Sequence, residues 1–384
     1  MKELNSKLPF AGTNIFTKMS GLAFEVGAYN IAQGFPDFPC DPALIALVDK
    51  AMKDGWNQYA PMPGVLKLRE RIAEKTFELY QRQYDPVLEV TVVPGATAGI
   101  YSAINALVFP GEEVIIIEPC YDSYLPSIVM AGAIPVISKM KLDIPGGYSI
   151  DWADIKSKVN AKTRMIMINT PHNPTGSILR HDDMLSLIDI VHGTDIFVLS
   201  DEVYEHIIFD GEKHASISAY PELAERGIMI ASFGKTFHTT GWRTGYVLAP
   251  AQITKEIRRV YQFIAFSAST PMQHAIYEYL GNKDLYLQLN DFFQRKRDMM
   301  RGLISQSRFT MLPSKGSYFQ CVSYGHITDE HDEDLAVRLT KENKVATIPV
   351  SAFYKDHTDH KILRFCFGKK DETIQKALEI LCRI

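Results

Sequence analysis

"IMIASFGKTFHTTGWRTGY", residues 228–246, is the stretch on which the reading of this chain turns. An apolar run passes directly into a Gly-Lys-Thr triplet. One reading makes Lys235 the phosphate-gripping lysine of a nucleotide loop, and the other makes it a lysine that does covalent chemistry. A Walker loop, GxxxxGK[ST], would need its first glycine at position 229, which is Met. The segment "IFVLSDE" imitates a Walker B strand but precedes the triplet instead of coming after it. No two glycines are separated by one residue, so G-x-G-x-x-G is also missing. Both nucleotide readings fail on the backbone, because those glycines are what let main-chain N–H groups approach phosphates.

Around this stretch, from about residue 88 to 250, short β-branched runs alternate with helical patterns. The runs are "EVTVV" (89–93), "EVIIIEP" (113–119), "AIPVIS" (133–138), "TRMIMINT" (163–170), "DIFVLSDE" (195–202), "IMIASFG" (228–234) and "GYVLA" (245–249). Several are apolar at consecutive positions, as strands buried on both faces of a mainly parallel sheet are. "AGIYSAINALVF" (98–109), "YLPSIVMAG" (124–132) and "DDMLSLIDIVHG" (182–193) read as the intervening helices. The alternation predicts an α/β fold with ligand-binding loops at the carboxyl ends of the strands. The last hundred residues read as a smaller α+β unit. It has a long helical stretch over 286–307, strands at 317–323, 345–350 and 361–368, a helix at 333–343 and a closing helix. Residues 1–44, rich in Pro and Gly, show no strong pattern of their own.

Composition narrows the function classes. The 384 residues suit two domains and are 46% hydrophobic and 22% charged, values ordinary for soluble proteins. A formal net charge of -4 gives no electrostatic reason to bind nucleic acid or anionic lipid. Five cysteines without a CxxC pair suggest reduced thiols and neither a disulfide framework nor a zinc site. "MKELNSKLPFAGTN" lacks the apolar core of a secretory signal, and no apolar run approaches the roughly 18 residues of a membrane span. The expectation is a cytoplasmic protein with no metal.

The loops after the strands carry chemistry. "GATAGI" after the first run opens a helix, so the N–H groups of Ala96 and Thr97 could cradle a phosphate monoester; such turns are also common for structural reasons alone. "PHNPTG" is turn chemistry, but its Asn173 amide could donate to a phenolate oxygen. "SDEVYE" sets Asp201 and Tyr204 three residues apart, so both could face one ligand, although Asp201 could merely cap the next helix. A lone lysine is usually a solvated surface group. Lys235, however, comes after a buried strand and is flanked by Phe233, Phe237 and Trp242, surroundings that lower its pKa toward a nucleophilic amine. Ser232 and Arg243 suit a phosphate. Arg364, inside the apolar run "LRFCFG", wants a carboxylate, whether of a structural ion pair or of a substrate. Together these groups fit pyridoxal 5′-phosphate bound as a lysine imine.

The chain resembles the class I aminotransferases of the aspartate-aminotransferase fold, the fold type I enzymes of pyridoxal phosphate, from roughly residue 25 to the end. It looks most like the branch of methionine aminotransferases and kynurenine/glutamine transaminases. The motifs "AQGFPDFP", "QYAPMPG", "PGATAGI", "EPCYDSY", "NTPHNPTG", "SDEVYE", "SFGKTFHTTGWRTGY" and "LRFCFG" occur in the family's order. The resemblance implies a large cofactor domain over 45–280 and a small domain from 1–44 with 281–384. It implies that Lys235 forms the internal aldimine, that Asp201 pairs with the pyridine nitrogen, and that Tyr204 and Asn173 bond the ring oxygen. Tyr121 would stack on the ring, while Ala96, Thr97, Ser232 and Arg243 hold the phosphate. Arg364, the Gly34 backbone and Asn173 would take the substrate carboxylate, with Phe16 near the side chain. Tyr59 would reach the phosphate of a neighbouring subunit, which implies a homodimer with shared sites.

The implied activity is ping-pong transfer of an amino group from an L-amino acid to a 2-oxo acid. Dicarboxylate-specific relatives carry a second arginine; the corresponding "FIAFSASTPMQ" (263–273) has none. With Phe16, Phe35 and Tyr121 expected nearby, the pocket should favour methionine, phenylalanine, kynurenine or glutamine. The alternatives are β-elimination on cysteine S-conjugates at the same site and a non-catalytic effector-binding module.

Overall fold

The computed structural model describes residues 5–10 and 12–384; residues 1–4 and Ala11 of the expected 1–44 segment lie outside the described residues. A seven-stranded sheet dominates. Its strands run across the sheet in the order Val90–Val93, Gly245–Leu248, Gly227–Ser232, Phe197–Asp201, Thr163–Asn169, Glu113–Glu118 and Ile134–Lys139. All seven expected strands are present, and the five from Gly227–Ser232 to Ile134–Lys139 pair in parallel. Their unbroken apolar runs are buried on both faces, as Val114, Ile115, Ile116, Ile166, Met167, Ile168, Val198 and Leu199 show. Each such side chain taken from water contributes about 1.5–3 kcal/mol.

One strand runs the other way. Gly245–Leu248 is antiparallel to both neighbours, pairing Gly245 with Val93 on one side and with Ser232 on the other. Its amino end therefore lies beside the carboxyl ends of the other strands. This reversal delivers Arg243, two residues before the strand, to the edge where the ligand-binding loops emerge.

A four-stranded antiparallel sheet, ordered Thr310–Met311, Phe319–Ser323, Ile362–Cys366, Ile348–Pro349, forms a second layer system. The stretch expected as one helix over 286–307 is two, Asp284–Leu287 and Leu289–Ile304, with Gln288 at φ −89° and ψ 0° between them. Residues 15–26, read from sequence as patternless, form a helix. Its signals are local: the Asn14 side chain accepts from the Phe16 N–H at 2.7 Å, and Gly27 closes it at φ 65°. Only Met19 and Ala23 are buried along it, and Ser20-Gly21 interrupts the stripe, so no clean periodicity shows. The next segment crosses to the far end of the chain. Tyr29–Asn30 pairs in parallel with Val345–Ala346, and the Cys366 N–H donates to the Ile31 carbonyl at 2.8 Å.

Candidate active site

The strand ends converge on a cavity of about 110 Å³ lined by Ala96, Thr97, Tyr121, Asn173, Asp201, Tyr204, Ser232, Lys235 and Arg243, with Ile100, Asn169 and Val203. Nine residues named from the sequence thus meet in one place, supplied by the turns after the strands and by the approach to the reversed one.

At one end is an anion cradle. Gly95, at φ 87°, precedes the helix Ala96–Leu107, whose first N–H groups have no upstream carbonyl within the helix. The positive φ favours glycine there, and a Cβ would displace the Arg243 guanidinium from the turn. Gly245 is equally constrained: a Cβ would lie 2.5 Å from the Ala231 carbonyl oxygen and 3.2 Å from the Ala96 nitrogen. The Arg243 Nη1 donates to the Thr240 carbonyl at 3.1 Å, which aims the fork over the turn. Helix-end N–H groups, the hydroxyls of Thr97 and Ser232, and a guanidinium are the donor set of a phosphate site.

At the other end stands Asp201, the last residue of its strand and buried. Burial pushes its carboxyl up to about 6, against the opposing pull of the Tyr124 hydroxyl, the Val203 N–H and the Lys235 amine. A carboxylate so placed is ready for a cationic N–H partner. The Tyr124 hydroxyl donates to Asp201 at 2.7 Å, a contact that sequence reasoning missed although Tyr124 closes the quoted "EPCYDSY". Asn169 was also missed. Its amide donates to the Asp201 carbonyl at 2.7 Å and its oxygen accepts from the Asn173 N–H at 2.8 Å, so it ties two strand ends together. Tyr204 and Asp201 share the cavity through a non-helical turn rather than a helix face.

Lys235 lies between the two ends. It sits on the one-turn helix Phe233–Thr236, and its Nζ donates to the Gly34 carbonyl and the Tyr318 hydroxyl, each at 3.1 Å. Burial pushes the amine down to about 8, and the Arg364 and Arg243 charges push the same way, while Cys366 and Asp201 oppose them. The direction is the one expected from the sequence, but the neighbours differ. Phe233 and Phe237 stack on each other at 5.9 Å, and the rings facing the amine are Tyr204 at 5.6 Å and Tyr318 at 5.7 Å.

Arg364 is 1% exposed. Its Nη1 donates to the Asn173 Oδ1 at 2.7 Å and its Nη2 to the Ala32 carbonyl at 2.8 Å, while Nε finds no partner among the described residues. No carboxylate among those residues accepts from it, so the structural ion pair considered from the sequence is not what it makes there. A buried guanidinium with a free N–H suits an incoming carboxylate. Its face rests on Phe319 at 4.0 Å, with Phe353 at 5.1 Å and Phe16 at 5.2 Å. Phe16 therefore meets the arginine and does not line the cavity. Asn173 has its oxygen committed to Arg364, leaving its amide N–H groups to donate. Gly34 turns its carbonyl toward Lys235 and Tyr318, the latter at 2.6 Å, so only its N–H remains for a carboxylate.

Two sequence-named features lie apart. Tyr59 is 83% exposed and packs edge-on against Phe266 at 5.3 Å, outside the cavity. Phe35 is partly exposed beneath Lys369, whose Nζ lies 4.6 Å from the ring.

The chain as a whole is similar to known proteins. The family described as Aminotransferase class I and II matches residues 21–381. A methionine aminotransferase of Escherichia coli (strain K12) is 45% identical over 377 residues, covering 98% of this chain and 97% of its own. A kynurenine–oxoglutarate transaminase of Dictyostelium discoideum is 32% identical, covering 97% and 94%. A solved Escherichia coli structure, described as identifying a methionine aminotransferase function, superposes over 100% of both chains with a TM-score of 0.97 and 43% identity.

Proposed function

Because the chain belongs to the class I and II aminotransferases, we propose that it uses pyridoxal 5′-phosphate at the Lys235 cavity to move the amino group of methionine or another neutral, hydrophobic L-amino acid to a 2-oxo acid. The observation that carries this reading is the Lys235 amine, lowered to about 8 and set between a buried carboxylate and two guanidiniums.

The residues fit the cofactor. Ala96, Thr97, Ser232 and Arg243 would hold its phosphate, Asp201 its ring nitrogen, Asn173 and Tyr204 its ring oxygen, and Tyr121 one ring face. When bound, pyridoxal phosphate supplies an aldehyde for the lysine and a ring that withdraws electrons from the substrate Cα. The ionised Asp201 carboxylate would keep a proton on the ring nitrogen, and the Tyr124 hydroxyl and the Val203 N–H, both donating to Asp201, favour its ionised form. Arg364 and the Asn173 amide orient the substrate by its carboxylate, which fixes the Cα–H bond relative to Lys235. The Lys235 amine, lowered to about 8, has a usable neutral fraction near physiological pH. It would take the Cα proton and hand it to the cofactor's aldehyde-derived carbon on the other side of the amino nitrogen. One mobile amine serves as base and acid on the same face.

Two supports bear on substrate and assembly. The 263–273 segment supplies no second arginine, so a side-chain carboxylate would enter without a cationic partner. Tyr59, Phe263 and Phe266 are exposed aromatics, which fits a homodimer interface through which Tyr59 reaches a second copy's phosphate cradle. Among the described residues no helix is long and apolar enough to cross a membrane, and a cytoplasmic location is part of the same proposal.

The test is a spectrum. Purified protein loaded with pyridoxal phosphate should show a visible band that shifts when L-methionine is added and returns with a 2-oxo acid. A Lys235→Ala protein that keeps both the band and turnover would overturn the reading.

A further inference from the structure

The turn bearing Asp201 and Tyr204 has a second set of carboxylates, Glu202 and Glu205. They do not line the cavity, and both are buried. Glu202 accepts from the Ser200 hydroxyl at 2.8 Å and the Ile217 N–H at 3.0 Å, and pairs with the His214 Nε2 at 2.7 Å. Glu205 is more enclosed. It accepts from the Lys75 Nζ and the Tyr246 hydroxyl through one oxygen and from the Tyr80 hydroxyl through the other, all at 2.7 Å. Lys75 also donates to the Tyr246 hydroxyl at 2.8 Å, closing a triangle whose charged members are 3% and 2% exposed. Burial alone would raise the Glu205 carboxyl, but Lys75 overrides it and holds the group well below the usual carboxylate range.

The triangle joins segments that hold opposite ends of the cavity. Glu205 comes directly after Tyr204. Tyr246 comes after Gly245, the residue packed against the Ala96 nitrogen, and its ring rests on Phe233 at 5.1 Å, next to Ser232. Lys75, from the helix Leu66–Tyr80, bridges the two. A buried ion pair at best roughly breaks even against apolar packing, so stability is a weak reason for it. What it adds is a fixed, directional link.

We propose that Lys75, Glu205 and Tyr246 are positioning residues that set the span between the phosphate cradle and the Asp201–Tyr204 turn, so that one rigid ligand reaches both. This rests on the cofactor reading above. A phosphate ester attached to an aromatic ring has a fixed length, and a misfit of about 1 Å at either end is costly. A ligand that occupies the cradle alone does not sense the span.

The experiment compares those two ligands on the full chain. Dissociation constants for pyridoxal 5′-phosphate, read from the visible band, and for inorganic phosphate, read by competition, are measured for wild type, Tyr246→Phe, Lys75→Arg and the charge-free pair Lys75→Met/Glu205→Leu. Visible circular dichroism of the bound cofactor reports its orientation. We expect cofactor affinity to fall about tenfold or more in Tyr246→Phe and in the charge-free pair, with altered dichroism. Phosphate affinity should stay within about twofold, and Lys75→Arg, whose larger planar fork does not fit the place of the buried ammonium, should weaken the cofactor in the same way. Unchanged cofactor affinity and dichroism in folded variants would overturn the proposal, as would equal losses for both ligands, which indicate general loosening. Should the charge-free pair fail to fold, Tyr246→Phe decides alone. A wild-type protein that forms no visible band would instead sink the cofactor reading itself.

Discussion

At the scale of single residues, two protonation states govern the site. The Lys235 amine sits at about 8 against an ordinary 10.5. Between those values the unfolded chain binds the extra proton, so this group makes stability rise with pH across that window. The Asp201 carboxyl, at about 6 against 3.8, works in the opposite sense, and its contribution falls as pH rises from 3.8 to 6. On the proposed reading, cofactor capture would need Asp201 ionised and Lys235 neutral. Binding measured by absorbance should therefore weaken below about pH 6, and the rate of band formation should climb through pH 8. Asp201→Asn should reduce turnover on the order of 10²-fold or more while the protein still folds, checked by steady-state kinetics and far-UV dichroism. Lys235→Ala should remove at least about 10³-fold of activity. Most of these residues were legible in the sequence because each comes after a strand and departs from that strand's apolar character. Asn169, Tyr124 and Tyr318 were illegible for the opposite reason: their importance lies in partners far along the chain, and no local pattern announces a hydrogen bond from residue 318 to residue 235.

At the scale of elements, the reversed strand Gly245–Leu248 sets the end of the cavity where the proposed phosphate cradle lies. Gly245→Ala would drive a methyl against the Ala231 carbonyl and the Ala96 nitrogen, forcing the turn away at about 1–3 kcal/mol. The expected result is a protein with a lowered melting temperature and a larger loss of cofactor affinity than of stability. The helix Ile15–Val26 carries Phe16 to Arg364, the proposed substrate-carboxylate residue, and is held by Asn14, which caps it and also bonds Asp122. Asn14→Ala should cost about 1 kcal/mol of local stability and let Phe16 leave Arg364. KM for methionine should rise with kcat nearly unchanged. The seven strands were readable because burial on both faces leaves unbroken apolar runs. The direction of the last one was not, since a four-residue strand looks the same from either end. The helix over 15–26 escaped notice because a helix that buries little has little periodicity to show.

At the scale of the whole molecule, specificity derives from which charges the chain can lend. On the proposed reading Arg364 would meet the carboxylate shared by all amino acids, and nothing in 263–273 offers a second cation. Methionine should exceed aspartate by at least about 10²-fold in kcat/KM, and a preference for aspartate would contradict the proposed substrate class. The overall architecture was legible from the order of strands, helices and motifs, whereas the way the two ends of the chain meet was not, because two-residue strands leave no signature. That meeting has a temporal consequence. On the ribosome, Tyr29 and Asn30 emerge long before Val345 and Ala346, the residues they pair with in register. The strands of the seven-stranded sheet are all synthesised by residue 248, while the segment that supplies Gly34 to Lys235 must wait for residues 345–346 before its own strand can pair. Nascent chains arrested ahead of residue 345 should therefore resist protease across the sheet and be clipped ahead of Gly34.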